Sequence, residues 1–118
     1  MKTVLIVEDD LMNAKIFSKI LQKRGGLEVK HTENVDEVMQ IAQGGEADII
    51  LMDVSLARSV YQGKSVDGIK ITQILKSDPK TAKLPIILLI LSPISLLFFM
   101  ANKSLNDAPS GIVIIAFW

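Results

Sequence analysis

The first apolar run, Thr3-Val4-Leu5-Ile6-Val7, ends abruptly in Glu8-Asp9-Asp10, and the pattern returns at Ala47-Asp48-Ile49-Ile50-Leu51-Met52-Asp53. Short continuous apolar runs bounded by polar residues fit strands buried on both faces of a parallel sheet. Between them the period changes. Asp10 can cap a helix in which Leu11, Ala14, Phe17 and Leu21 recur at helical spacing, closed by Lys23-Arg24 and by Gly25-Gly26. Leu27 to Thr32 alternates Leu27, Val29 and His31 against Glu28, Lys30 and Thr32, which predicts a short half-buried strand. Asn34 followed by Glu37 is a variant capping box opening a helix whose Val35, Val38, Ile41 and Ala42 face inward, until Gly44-Gly45 ends it. Strands separated by helices of this size build right-handed parallel βαβ units, so the pattern predicts an α/β fold.

The pattern changes after Lys83. From Leu84 onward only Lys103 and Asp107 are charged, and Ile94-Ser95-Leu96-Leu97-Phe98-Phe99-Met100-Ala101 is apolar almost all round, unlike an amphipathic surface helix. Residues 90–118 therefore read as a divergent apolar tail on a single domain of 118 residues.

Charge and composition narrow the function classes. The formal net charge is zero and no basic run occurs, which removes the electrostatic footprint of a nucleic-acid binder. With no cysteine and no signal peptide at the amino terminus, a reducing cytoplasmic setting is the expectation. The candidate chemistry sits where the two apolar runs end. In an open α/β sheet ligands bind outside the carboxyl ends of the strands. If the two strands are parallel neighbours, Glu8, Asp9 and Asp53 converge there. Like charges so close raise one another's pKa, and a divalent cation is the usual remedy. Carboxylate oxygens suit Mg²⁺, with phosphate as co-ligand. No competing metal set exists, because the only histidine is His31, which reads as a solvated or edge residue.

Val4-Leu5-Ile6-Val7-Glu8-Asp9-Asp10, Ile49-Ile50-Leu51-Met52-Asp53, Asp67-Gly68-Ile69 and Lys83-Leu84-Pro85-Ile86-Ile87, in that order, resemble the receiver domain of two-component response regulators over about residues 2–89. The resemblance implies a flavodoxin-like, doubly wound parallel sheet in strand order 2-1-3-4-5. It also implies that Asp53 accepts a phosphoryl group from a sensor histidine kinase or phosphotransfer protein. Glu8, Asp9, Asp53 and the backbone carbonyl of Ser55 would hold Mg²⁺, and Asp10 would cap the first helix. A carboxylate nucleophile beside Mg²⁺ supplies what phosphoryl transfer asks of a protein, positioning and charge neutralisation.

The chain departs from that family twice. Val54 to Val66 is a longer connection than usual after the phosphoacceptor, bringing in Arg58, Tyr61, Gln62, Gly63 and Lys64 with no obvious structure of its own. It reads as a solvated insertion, with gating or partner choice as the alternative. The family also places a hydroxyl at the end of the fourth strand and a lysine, usually followed by proline, at the end of the fifth. Here the fourth strand reads Ile86 to Leu91 with Ile90 at the hydroxyl position. Ser92, two residues further, would lie roughly 6–7 Å away. No Lys-Pro follows, and the chain offers no fifth helix after the run Gly111 to Trp118.

Three readings of the tail stand: an out-of-frame or damaged end, a membrane segment from Leu84 to Ala101 interrupted by Pro85 and Pro93, or a genuine variant. The variant would fold as a buried helix over Ile94 to Leu105, a turn at Asn106-Asp107-Ala108-Pro109 and a fifth strand from Gly111 to Phe117, whose uncovered apolar face would favour a homodimer. For function, a phosphoacceptor module competes with a pseudo-receiver that has lost switching. It also competes with a Mg²⁺-dependent phosphohydrolase using Asp53, which Ser55 argues against, because an Asp-x-Asp pair would be needed.

Overall fold

The computed structural model describes residues 1–56, 59–91 and 112–116. Its elements in chain order are β1 (Thr3–Val7), α1 (Leu11–Gly25), β2 (Glu28–Thr32), α2 (Val35–Gln43), β3 (Ile49–Asp53), β4 (Val60–Tyr61), β5 (Lys64–Ser65), α3 (Gly68–Ser77), β6 (Ile86–Ile90) and β7 (Ile112–Ala116). Five of the strands form one parallel sheet in the order β2-β1-β3-β6-β7. This is the expected flavodoxin-like order, with β6 and β7 as the fourth and fifth strands of the sheet.

The three central strands are buried on both faces, and alternate residues feed two cores. Leu5, Val7, Ile50, Met52, Ile86, Leu88 and Ile90 pack with Val35, Val38 and Ile41 of α2 and Ile69, Ile71 and Leu75 of α3. Val4, Ile6, Leu51 and Leu89 pack on the opposite face with Phe17 and Leu21 of α1. This two-sided burial is why the strands read as continuous apolar runs.

Local signals set the helix ends. Asp10 accepts from the backbone N–H of Met12 and Asn13 at 2.9 and 3.3 Å, and Gly26 closes α1 in the left-handed conformation. Asn34 accepts from Glu37 N–H at 3.1 Å, and Asp67 from Lys70 N–H at 2.8 Å, so α2 and α3 start on side-chain caps as well. After α3, Lys76 Nζ donates to Ala82 O and Leu84 O, at 3.0 and 2.7 Å, and holds the chain as it turns into β6.

Three expectations are corrected. The connection after β3 has structure of its own: β4 and β5 pair antiparallel as a hairpin whose turn, Gln62-Gly63, has positive φ at both residues. That matches the twist of a two-residue hairpin turn, although glutamine tolerates the conformation less well than glycine. Leu11 does not join the core; at the first position of α1 it is 67% exposed. In β2 the residue buried is Thr32, from the polar set of the alternation, while His31 is exposed on the edge strand as expected.

The expected buried helix from Ile94, the turn at Asn106 to Pro109, Ser92 and Arg58 all lie outside the described residues. Among the described residues no helix is long and apolar enough to cross a membrane.

Candidate functional site

The acids meet because β1 and β3 are adjacent and in register. Val7 pairs with Met52, so Glu8 and Asp53 stand side by side where the two strands end. Glu8, Asp9 and Asp53 each offer a carboxylate oxygen within 4.8 Å of the others, a span one hydrated cation can bridge. Glu8 and Asp53 are buried, at 2% and 5% exposure, and Asp9 is half-buried.

Hydrogen bonds orient two of these carboxylates and leave one atom unused. Glu8 Oε1 accepts from Asp10 N–H at 3.0 Å, and Asp53 Oδ1 accepts from Ser55 N–H at 3.1 Å. Glu8 Oε2 is buried with no hydrogen-bond partner. Its nearest charged neighbours are acids. Burial, reinforced by Asp53 and Asp9, pushes the Glu8 carboxyl up to about 8, and burial likewise raises Asp53. A proton held on the raised Glu8 carboxyl limits the negative charge of the cluster. A divalent cation would displace that proton and satisfy Glu8 Oε2. Every donor is a carboxylate oxygen, and that donor set fits Mg²⁺.

The loop after Asp53 is held by backbone contacts. Val54 N–H donates to Leu89 O and Gly68 N–H to Val54 O, each at 3.0 Å. Gly68 approaches so closely that a Cβ there would overlap the Asp53 carbonyl oxygen and stand 2.8 Å from its carbon. Only glycine fits, which gives the Asp67-Gly68 pair a physical reason: the aspartate caps α3 and the glycine lets α3 start against the end of β3. The sequence motif signalled the pair but not this contact.

The structure places the other expected site residues as follows. Asp10 is the cap of α1, not a member of the carboxylate cluster. Ser55 donates its N–H to the Asp53 carboxylate at 3.1 Å. His31, read from the sequence as a solvated or edge residue, lies with Nε2 2.7 Å from Glu8 O, a contact that no local signal marked. At the level of Asp53 the sheet continues as Leu89 and then Ile115, followed by Ile90 opposite Ala116. Among the described residues, the ends of β6 and β7 therefore carry neither a hydroxyl nor an ammonium group. The inserted hairpin packs Tyr61 on the core and borders, with α3, a cleft of about 760 Å³. Lys64 and Lys70 line that cleft, and none of the three clustered acids does.

Comparison with known proteins agrees with this geometry. The polar-differentiation response regulator DivK of Brucella anthropi is 34% identical over 86 residues, which cover 73% of this chain and 63% of DivK. DivK of Brucella ovis is 33% identical over the same shares. The chain thus spans under two thirds of the length of these curated relatives. Among solved structures, the amino-terminal domain of a response regulator receiver protein from Methanoculleus marisnigri is similar with TM-score 0.71 at 23% identity, over 98% of this chain and 84% of that one. A receiver domain of a Pseudomonas aeruginosa sensor histidine kinase, with a magnesium ion coordinated in its active site cleft, is similar with TM-score 0.73 at 23% identity and the same coverage. The response regulator receiver domain matches residues 4–92, and with the parallel sheet and the acids at its carboxyl end, the chain belongs to the receiver domain family of two-component response regulators.

Proposed function

We propose that this chain accepts a phosphoryl group on Asp53 from a phosphohistidine of a sensor kinase or phosphotransfer protein, with Mg²⁺ held by Glu8, Asp9, Asp53 and the Ser55 carbonyl. The observation that carries the reading is the cluster of three carboxylates within 4.8 Å, with buried Glu8 Oε2 left without a partner. An Asp53 carboxylate oxygen attacks phosphorus, the P–N bond breaks, and the electron pair leaves with the imidazole. The product is an acyl phosphate. Mg²⁺, when bound, would neutralise charge between the carboxylates and the phosphoryl oxygens. Ser55 N–H, bonded to Asp53 Oδ1, fixes one oxygen of the nucleophile's carboxylate and so orients the group. Glu8 and Asp9 arrive from β1 already converged, so little reorganisation is required.

The surface beside the site suits a protein donor. Leu11 and Met12, immediately after the acids, are about two thirds exposed, and Ile16 and Ile20 extend the apolar ridge along α1. A helix of a partner laid on that ridge would bring a histidine to the acid cluster.

Leu89, Ile90, Ile115 and Ala116 favour a further feature, weak switching. Among the described residues of β6 and β7, a phosphoryl group arriving on Asp53 finds no hydroxyl or ammonium to draw toward it, which gives its arrival little leverage through those strands.

The test is incubation with Mg²⁺ and acetyl phosphate, with Asp53→Asn as control, followed by intact-mass analysis. Gain of one phosphoryl group, absent in the control and removed by hydroxylamine, supports the acceptor reading. Steady hydrolysis of phosphomonoesters would replace it with a phosphohydrolase. No incorporation would leave a pseudo-receiver that binds partners without accepting phosphate.

A further inference from the structure

The carboxyl end of β2 holds the backbone of Glu8 at both of its polar groups. Glu8 N–H donates to Thr32 O at 3.3 Å, and His31 Nε2 lies 2.7 Å from Glu8 O. A carbonyl oxygen only accepts, so the hydrogen must sit on Nε2, and His31 is the donor. The ladder pairs Ile6 with His31 and Val7 with Thr32. Both bonds therefore fall just past the last ladder pair, where β1 gives way to the loop carrying the acids.

We propose that His31 is a positioning residue for cation binding, holding the peptide plane between Glu8 and Asp9 and so the directions in which their carboxylates leave the chain. The Glu8 carbonyl belongs to that peptide. Its rotation would carry the Asp9 side chain away from Asp53 while Glu8 stays anchored by Thr32. Groups that hydrogen-bond directly to metal-ligating side chains are worth about 10–100-fold in affinity. The imidazole here is exposed and acts through the backbone, so the expected effect is smaller, about three- to tenfold. The inference rests on the reading of Glu8, Asp9 and Asp53 as cation ligands.

The test compares wild type, His31→Leu and His31→Gln by titration with MgCl₂ and, separately, by thermal unfolding in EDTA. Leucine removes the donor, whereas glutamine retains a side-chain N–H of similar reach. The expected result is a three- to tenfold weaker Mg²⁺ affinity for His31→Leu, substantial recovery in His31→Gln, and unfolding temperatures in EDTA that do not follow that order. Affinity of His31→Leu within twofold of wild type would overturn the proposal, as would equal weakening in both variants. A wild type that takes up no Mg²⁺ would remove the ligand reading itself, a distinct outcome that also ends the proposal.

Discussion

Replacing Gly68 by alanine tests whether the contact between α3 and the end of β3 is as close as the structure has it. The added Cβ would overlap the Asp53 carbonyl oxygen, with the Asp53 carbonyl carbon at 2.8 Å and Val54 Cα at 3.0 Å. Carbon atoms prefer about 3.5–4.0 Å. All three neighbours are backbone, so no rotamer change relieves the clash, and either α3 or the β3 end must move by on the order of 1 Å. Overpacking of this kind costs roughly 1–3 kcal/mol, and more where nothing yields. Alanine recovers at most about 1 kcal/mol of helix propensity. The move also stretches the Gly68 N–H bond to Val54 O, so the net loss is about 2–3 kcal/mol. At roughly 2 cal/mol/K of unfolding entropy per residue, a chain this long loses about 4 °C per kcal/mol, hence about 8–12 °C. The assay is thermal unfolding followed by circular dichroism. Gly45→Ala serves as the control, because Gly45 has φ 69° and no heavy atom within 4 Å of its added Cβ, which leaves only left-handed strain of about 1 kcal/mol. Because Asp53 rides on the displaced backbone, Mg²⁺ affinity should fall along with stability. An unfolding temperature within about 2 °C of wild type, or a loss no larger than that of Gly45→Ala, would refute the close approach.

Other expectations concern charge and capping. The Glu8 carboxyl is raised from 4.5 to about 8 in the folded chain, so its stabilising contribution is complete below 4.5 and is lost as pH rises through about 8. Urea midpoints measured in EDTA should therefore fall across that window, and Glu8→Gln should flatten the fall; an unchanged slope would contradict the burial argument. Asp53→Asn relieves repulsion within the cluster, so it should raise the unfolding temperature in EDTA yet cancel the rise that Mg²⁺ produces in wild type, both read by thermal shift. Asn34→Ala removes the acceptor for Glu37 N–H and should cost about 1 kcal/mol by urea unfolding.

The strands, the caps and the acids were legible in the sequence because each is written by near neighbours. The runs ending at Val7 and Asp53 announce buried strands whose next residues emerge at the carboxyl edge. Asp10 and Asn34 announce caps through bonds only two or three residues long. The order of the sheet followed from the resemblance, and so did the suspicion attached to Ile90. The hairpin at Val60 to Ser65 escaped because strands of two residues carry no measurable period, and because Gln62 stands where glycine or asparagine would have marked the turn.

What the sequence by itself determined is an α/β receiver with carboxylates at the tips of two strands, since burial pattern and capping are local. Only the tertiary structure decided which groups support those carboxylates. His31 reaches Glu8 across 23 residues, and Gly68 meets the end of β3 from the start of another element. Neither contact has a local signature. Each depends on the register of the assembled sheet, which brings distant backbone within hydrogen-bond or contact range once the two cores have formed on its faces.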